Sequence, residues 1–169
     1  MGQATIPKGR KKKRVSILLI EDNANQWLLI RSALAKCFPE VEPIWINNPA
    51  QSSTYLEHCL YLEHCLLKKN NIPSLILMEL YLPRRDDGLA LLSRFQSHPY
   101  YQQVPVIILS NSKEYTDIIE CNTYNIASFI SKPSTYHQWL TTFYTLRRSW
   151  WDRASLSFRS SQSDNTHLN

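Results

Sequence analysis

A chain of 169 residues can enclose one hydrophobic core of ordinary size but not two. Its formal charge of +5 points to polyanionic partners only until it is divided: residues 1–14 hold six basic side chains and no acidic one, leaving 13 basic and 14 acidic among the other 155. Only Gly88 lies beyond residue 14, which excludes the glycine-rich phosphate loops of nucleotide-binding enzymes, and no apolar run reaches the roughly 18 residues needed to span a bilayer.

The expected organisation is a basic, disordered arm over 1–14, one domain over 15–150 and a polar, mostly disordered tail over 151–169. The chain is read as soluble and cytoplasmic, with Cys37, Cys59, Cys65 and Cys121 as reduced thiols because no pair has a C-x-x-C spacing.

After the arm, the apolar run Val15 to Ile20 predicts a buried strand that stops at Glu21, Asp22 and Asn23. Helical spacing of Ile30, Ala33, Leu34 and Cys37 predicts a helix over 25–38, with Asp22 or Asn23 as its cap and Pro39 ending it. A brief strand is expected at 43–46, then a helix from Pro49 or Ala50. Residues 55–60 and 61–66 repeat the hexapeptide YLEHCL in tandem. Six residues advance an α-helix by about 600°, so the copies lie roughly a third of a turn out of phase and cannot present one face. His58, Cys59, His64 and Cys65 are therefore poorly spaced for a metal, and the repeat reads as a local duplication.

The stretch Ser74 to Pro83, SLILMELYLP, predicts a strand buried on both faces that ends on Glu79. Leu82 to Gly88, containing RRDDG, reads as a loop capping a helix that carries Leu89, Leu91, Leu92 and Phe95 and ends at His98, a surface residue. A strand over 104–109 stopping on Ser110, a helix over 113–122 and a strand over 128–130 running into Lys132 follow. The last helix, from near Ser134, turns Trp139, Leu140, Phe143 and Leu146 inward and leaves Tyr136, Tyr144, Trp150 and Trp151 in excess of one face.

Five strands alternating with five helices predict an α/β fold: a doubly wound, five-stranded parallel sheet of order 2-1-3-4-5, flavodoxin-like. That order brings Glu21 with Asp22, Glu79, Ser110 and Lys132 to one edge. Three carboxylates suit a hard cation such as Mg²⁺, a hydroxyl can bond a phosphoryl oxygen, and a lysine supplies countercharge, which outlines a phosphoryl-transfer site. A hydrolase reading lacks a G-x-S-x-G elbow, and neither His98 nor His137 stands at a strand end.

The ordered motifs IEDN, LILMELYLP, VIILSNS and SFISKP resemble the receiver domains of two-component response regulators, over residues 15 to about 147. Within that family the chain looks most like the small single-domain regulators paired with phytochrome-type histidine kinases. The resemblance implies a non-enzymatic signalling module that takes a phosphoryl group from a kinase phosphohistidine and works by protein contact. It implies weak Mg²⁺ binding by Glu21, Asp22, the acceptor carboxylate and the Tyr81 carbonyl. Ser110 takes the place of the switch hydroxyl, Lys132 that of the phosphoryl-contacting lysine, and Phe129 that of the aromatic that changes rotamer. Strand five and the last helix would carry a partner surface, a homodimer included.

The acceptor position, an aspartate in the family, is Glu79 here. One added methylene displaces the nucleophilic oxygen by about 1 Å or more, enough to cost roughly 10²-fold. An atypical or pseudo-receiver is expected, with Glu79 reaching toward Ser110 and Lys132 as a mimic of the on state or an inert substitute. Arg84 and Arg85 are expected beside the site as solvated charges. The alternative is a scaffold whose arm contacts nucleic acid or an anionic surface, betrayed by steep salt dependence.

Overall fold

The computed structural model describes residues 15–47, 73–99 and 101–151. The arm, the YLEHCL repeat with the helix expected around it, Cys59, Cys65 and the tail after residue 151 lie outside these described residues.

Val15–Ile20 forms β1, Val41–Ile46 β2, Leu75–Met78 β3, Val106–Ser110 β4 and Ser128–Ser131 β5. All pair in parallel in the order β2-β1-β3-β4-β5, as the alternation of elements predicts. β2 begins two residues earlier than expected and runs through Pro43. A proline lacks a ladder donor, but β2 stands at the sheet edge, where one side of the strand needs no partner.

Register decides the chemistry. Ile20 lies opposite Met78 and Ser110 opposite Ser131, so Glu21, Glu79 and Lys132, each the next residue, leave the sheet at one edge.

Four α-helices are described: α1 (Ala24–Cys37), α2 (Arg85–Ser97), α3 (Tyr115–Thr123) and α4 (Tyr136–Leu146), the last running into a π-helical turn over Arg147–Trp151. Asn23, not Asp22, caps α1, its side-chain oxygen accepting from the amides of Asn25 (3.0 Å) and Gln26 (3.1 Å). Thr135 and Gln138 cap α4 reciprocally.

Alternating strand residues feed two cores. Ile17, Leu19, Leu75, Leu77, Ile107 and Leu109 pack under α1 and α4, against Ile30, Leu34, Trp139 and Phe143. Leu18, Ile20, Ile76, Met78 and Ile108 pack on the other face against Leu89, Leu92 and Phe95 of α2 and Cys121 of α3. At about 1.5–3 kcal/mol for each large side chain, these two layers dominate the stability of the fold. Leu140, expected inward, is only half-buried. His98 is half-buried as well, its ring 5.2 Å from that of Tyr101, and is not a simple surface residue.

RRDDG is not a loop. α2 starts at Arg85, so Asp86 and Asp87 occupy its first turn, where negative charge meets the helix N-terminus favourably. Gly88 is inside the helix for a steric reason: a Cβ there would lie 1.8 Å from the Leu80 carbonyl oxygen and 2.7 Å from its carbon. Because both atoms are backbone, Gly88→Ala should destabilise the domain by about 3 kcal/mol, measurable by urea unfolding. The same substitution pushes on the residue next to Glu79.

Candidate functional site

Glu79 is the first residue after β3 and is 6% exposed. Its Oε1 accepts from the backbone amides of Leu80 (2.7 Å) and Tyr81 (3.1 Å) and from the hydroxyl of Ser110 (2.7 Å). Its Oε2 lies 2.6 Å from the ammonium of Lys132. Both oxygens are therefore engaged by the groups that topology alone brings to this edge.

Lys132 Nζ also donates to Glu21 Oε2 at 2.7 Å, while Glu21 Oε1 accepts from the Asn23 amide at 3.1 Å. The indole of Trp45, stacked on Trp27 at 4.6 Å between ring centres, donates to the Glu21 carbonyl at 2.9 Å and anchors this strand end to β2 and α1. One cation thus serves two buried carboxylates. Burial raises the Glu21 carboxyl above its usual range despite the pull of Lys132. Burial also raises half-buried Asp22, with the Glu79 charge adding to it and Lys132 opposing. Burial works against the Lys132 charge too, but the Glu79 and Glu21 carboxylates outweigh it and hold the ammonium above its usual range.

The donor types, carboxylates and a carbonyl, suit a hard divalent cation. Their arrangement does not fit one while Lys132 bridges Glu21 and Glu79, and among the described residues no three acidic, histidine or cysteine side chains form a group that could hold a metal.

Glu21, Asp22, Glu79, Tyr81, Ser110 and Lys132 all line one open cleft at the carboxyl edge of the sheet. Phe129 stands apart from it, half-buried against the core on the α2 side. Arg84 and Arg85 do not screen the site's acids. Arg84 pairs with Asp87 at 3.1 Å, and Arg85 turns to Asp117 (2.5 Å) and Glu120 on α3.

Sequence reasoning missed Asp117. It is 2% exposed and accepts from the Tyr81 hydroxyl (3.0 Å), the Ser112 hydroxyl and Arg85. Burial would raise its carboxyl, but these three donors outweigh burial and hold it below the usual range. One signal could have found it: Asp117 stands four residues before Cys121, on the face of α3 that turns inward.

A profile of the response regulator receiver domain matches residues 17–143. The chain belongs to that family. Curated relatives of this receiver include the two-component response regulator-like PRR37 of Oryza sativa subsp. indica, 28% identical over 123 residues, or 73% of this chain and 15% of that protein. Response regulator Rcp1 of Synechocystis is 24% identical over 116 residues, 69% of this chain and 75% of Rcp1. This chain therefore spans about 15% of the length of the first-named relative. Among solved structures, the phosphorylated cyanobacterial phytochrome response regulator RcpA is similar at TM-score 0.68 and 27% identity, over 82% of this chain and 94% of that one. The Mn²⁺-bound form of Rcp1 has the same fold at TM-score 0.62 and 21% identity, over 80% and 94%. Among the described residues no helix is long and apolar enough to cross a membrane.

Proposed function

We propose that this receiver is an atypical one, a pseudo-receiver in which Glu79 stands in place of a phosphoryl group rather than awaiting one. The observation that carries this reading is the simultaneous engagement of Ser110 at 2.7 Å and Lys132 at 2.6 Å by the Glu79 carboxylate. In the family pattern these are the hydroxyl and the lysine that would meet phosphoryl oxygens. Glu79 offers them one negative charge on a buried side chain, where such contacts are strong.

The module works by protein contact in the cytoplasm and performs no reaction of its own. Its upstream partner is a histidine kinase of phytochrome type, a reading supported by the likeness to RcpA. The outward surface is the side carrying β5 and α4, where Tyr136 and Tyr144 are exposed, and a homodimer can form there. By the family pattern Phe129, on β5, would relay a change at Ser110.

With Lys132 bridging Glu21 and Glu79, affinity for Mg²⁺ is expected to be weak, and Asp22, those acids and the Tyr81 carbonyl are the groups that would hold the ion. Titration followed by calorimetry should detect weak Mg²⁺ binding that Asp22→Ala removes, and tight binding that survives the substitution would contradict this site. The direct test of the pseudo-receiver reading is intact mass after incubation with a small acyl phosphate: no stable adduct on the natural chain, a labile one on Glu79→Asp.

A further inference from the structure

Cations of this chain gather at the amino edge of the sheet, opposite the cleft. Six of them lie in KGRKKKR, residues 8–14, which holds no acid and runs directly into Val15, the first residue of β1. Val15 pairs with Val41 at the start of β2, so this segment joins the fold beside Glu40. To the same place α4 brings its carboxyl end. Arg147 donates to the Cys37 carbonyl at 2.7 Å and to Glu40 at 3.1 Å, and its guanidinium lies over the Phe38 ring at 5.5 Å. These contacts satisfy a carbonyl in the last turn of α1 and occupy the Glu40 carboxylate.

Arg148, in the turn after α4, and Lys36, in the last turn of α1, are exposed around this anchor. Against Glu42 of β2 stand the six cations of KGRKKKR, Lys36 and Arg148. The acids of the cleft do not cancel them: α1 runs from one edge to the other in 14 residues, about 21 Å, where the Debye length is only about 8 Å. The turn Arg147–Trp151 reads RRSWW, which sets two tryptophans directly after two arginines. Basic clusters draw a chain to anionic lipid, at about fivefold in affinity for each Lys or Arg, and indoles settle at the level of the headgroups. A reader of duplex nucleic acid instead lines its cations along one helix or strand that enters a groove. Here they come from a chain segment and two helix ends around one edge of the sheet, a disposition that suits a plane.

We propose that the amino edge of the sheet docks on a bilayer surface bearing anionic headgroups, with KGRKKKR supplying the attraction, Lys36 and Arg148 extending it, and Trp150 with Trp151 entering the interface. Arg147 is a positioning residue here: by tying the turn to Cys37 and Glu40 it sets RRSWW beside the root of the basic segment. Docked this way, the cleft at the opposite edge faces away from the lipid and stays open to a protein partner. Glu79 takes no part in the docking.

Sedimentation of the full chain with lipid vesicles tests this. Vesicles of phosphatidylcholine with phosphatidylserine should bind it and vesicles of phosphatidylcholine alone should not, with affinity falling at least about tenfold between about 0.05 M and about 0.2 M salt. Replacing Lys11, Lys12, Lys13 and Arg14 together by glutamine should weaken binding by roughly 10²-fold or more, and Arg148→Gln by roughly fivefold. Trp150→Ser with Trp151→Ser should cost roughly tenfold and leave the salt dependence unchanged. Glu79→Ala, at the far edge, should bind as the natural chain does. If the tryptophan variant unfolds more readily in urea, the exposed Arg148→Gln alone decides whether the turn takes part. Undiminished binding by Arg148→Gln would reduce the attraction to the basic segment and overturn the docking face. So would equal uptake by neutral vesicles, or no uptake by either kind. Capture of the chain by duplex DNA that phosphatidylserine vesicles fail to displace would make nucleic acid the partner and overturn the lipid assignment.

Discussion

Lys132→Met is expected to cost the domain about 3–5 kcal/mol near neutral pH, the range for removing one partner from a buried ion pair. The Lys132 side chain is 3% exposed, and its ammonium lies 2.7 Å from Glu21 and 2.6 Å from Glu79, themselves buried. Methionine keeps the length and apolar stem but leaves two carboxylates facing each other with no cation between them. Even in the natural chain that single cation does not compensate both acids, since burial still holds Glu21 above its ordinary range. Raised carboxylates such as Glu21 and Asp22 leave stability intact below the ordinary carboxylate range and subtract from it as pH rises through their raised values. Lys132, also raised, works in the favourable sense: its contribution is fully present below the ordinary lysine range and is lost only as pH climbs past its raised value. Without Lys132 the first effect stands alone and grows. Urea unfolding of the variant should therefore show a large deficit at about pH 8 that shrinks by about pH 5, where protonation of one acid relieves the repulsion. A loss below about 1 kcal/mol at both pH values would show that the bridge behaves as a surface pair and not a buried one.

What the sequence disclosed and what it concealed follow from the same physics. Glu21, Glu79, Ser110 and Lys132 were legible because each ends a short apolar run, and a parallel sheet of this order must deliver such ends to one edge. The reach of Glu79 toward Ser110 and Lys132 follows from its added methylene, whereas the bridging of Glu21 and Glu79 by Lys132 depends on side-chain reach across register partners and does not follow from that order. RRDDG misled because aspartate and glycine favour loops and helix N-termini alike. The deciding contact, the Leu80 carbonyl against the helix at Gly88, is tertiary. Asp117 was hidden for a similar reason: a lone acid on a helix is usually solvated, and its three donors come from segments distant in the chain. Arg85 reads from the sequence as a solvated charge beside the site, and its pairing with Asp117 and Glu120 is a tertiary contact that charge alone does not disclose.

Incubated with Mg²⁺ and a small acyl phosphate, the natural chain is expected to gain no stable phosphoryl adduct, whereas Glu79→Asp gains one that hydrolyses. Phosphorylation requires a carboxylate oxygen to attack phosphorus while the donor's own carboxylate departs, so the attacking lone pair must face the incoming group. Glu79 has little to spare: Oε1 accepts three hydrogen bonds and Oε2 is held at 2.6 Å by Lys132. Those same contacts place its oxygens where the phosphoryl oxygens would need Ser110 and Lys132. Shortening the side chain by one methylene retracts the carboxylate by about 1 Å or more, which frees the hydroxyl and the ammonium to meet the transferred group and restores in-line room. An offset of this size is worth roughly 10²-fold in rate. The comparison should read out as a mass increment on the aspartate variant alone, lost on standing. Rapid stoichiometric labelling of the natural chain would reject the idea that Glu79 already fills the phosphoryl place, and labelling of neither chain would reject the cleft as a phosphoryl-transfer site.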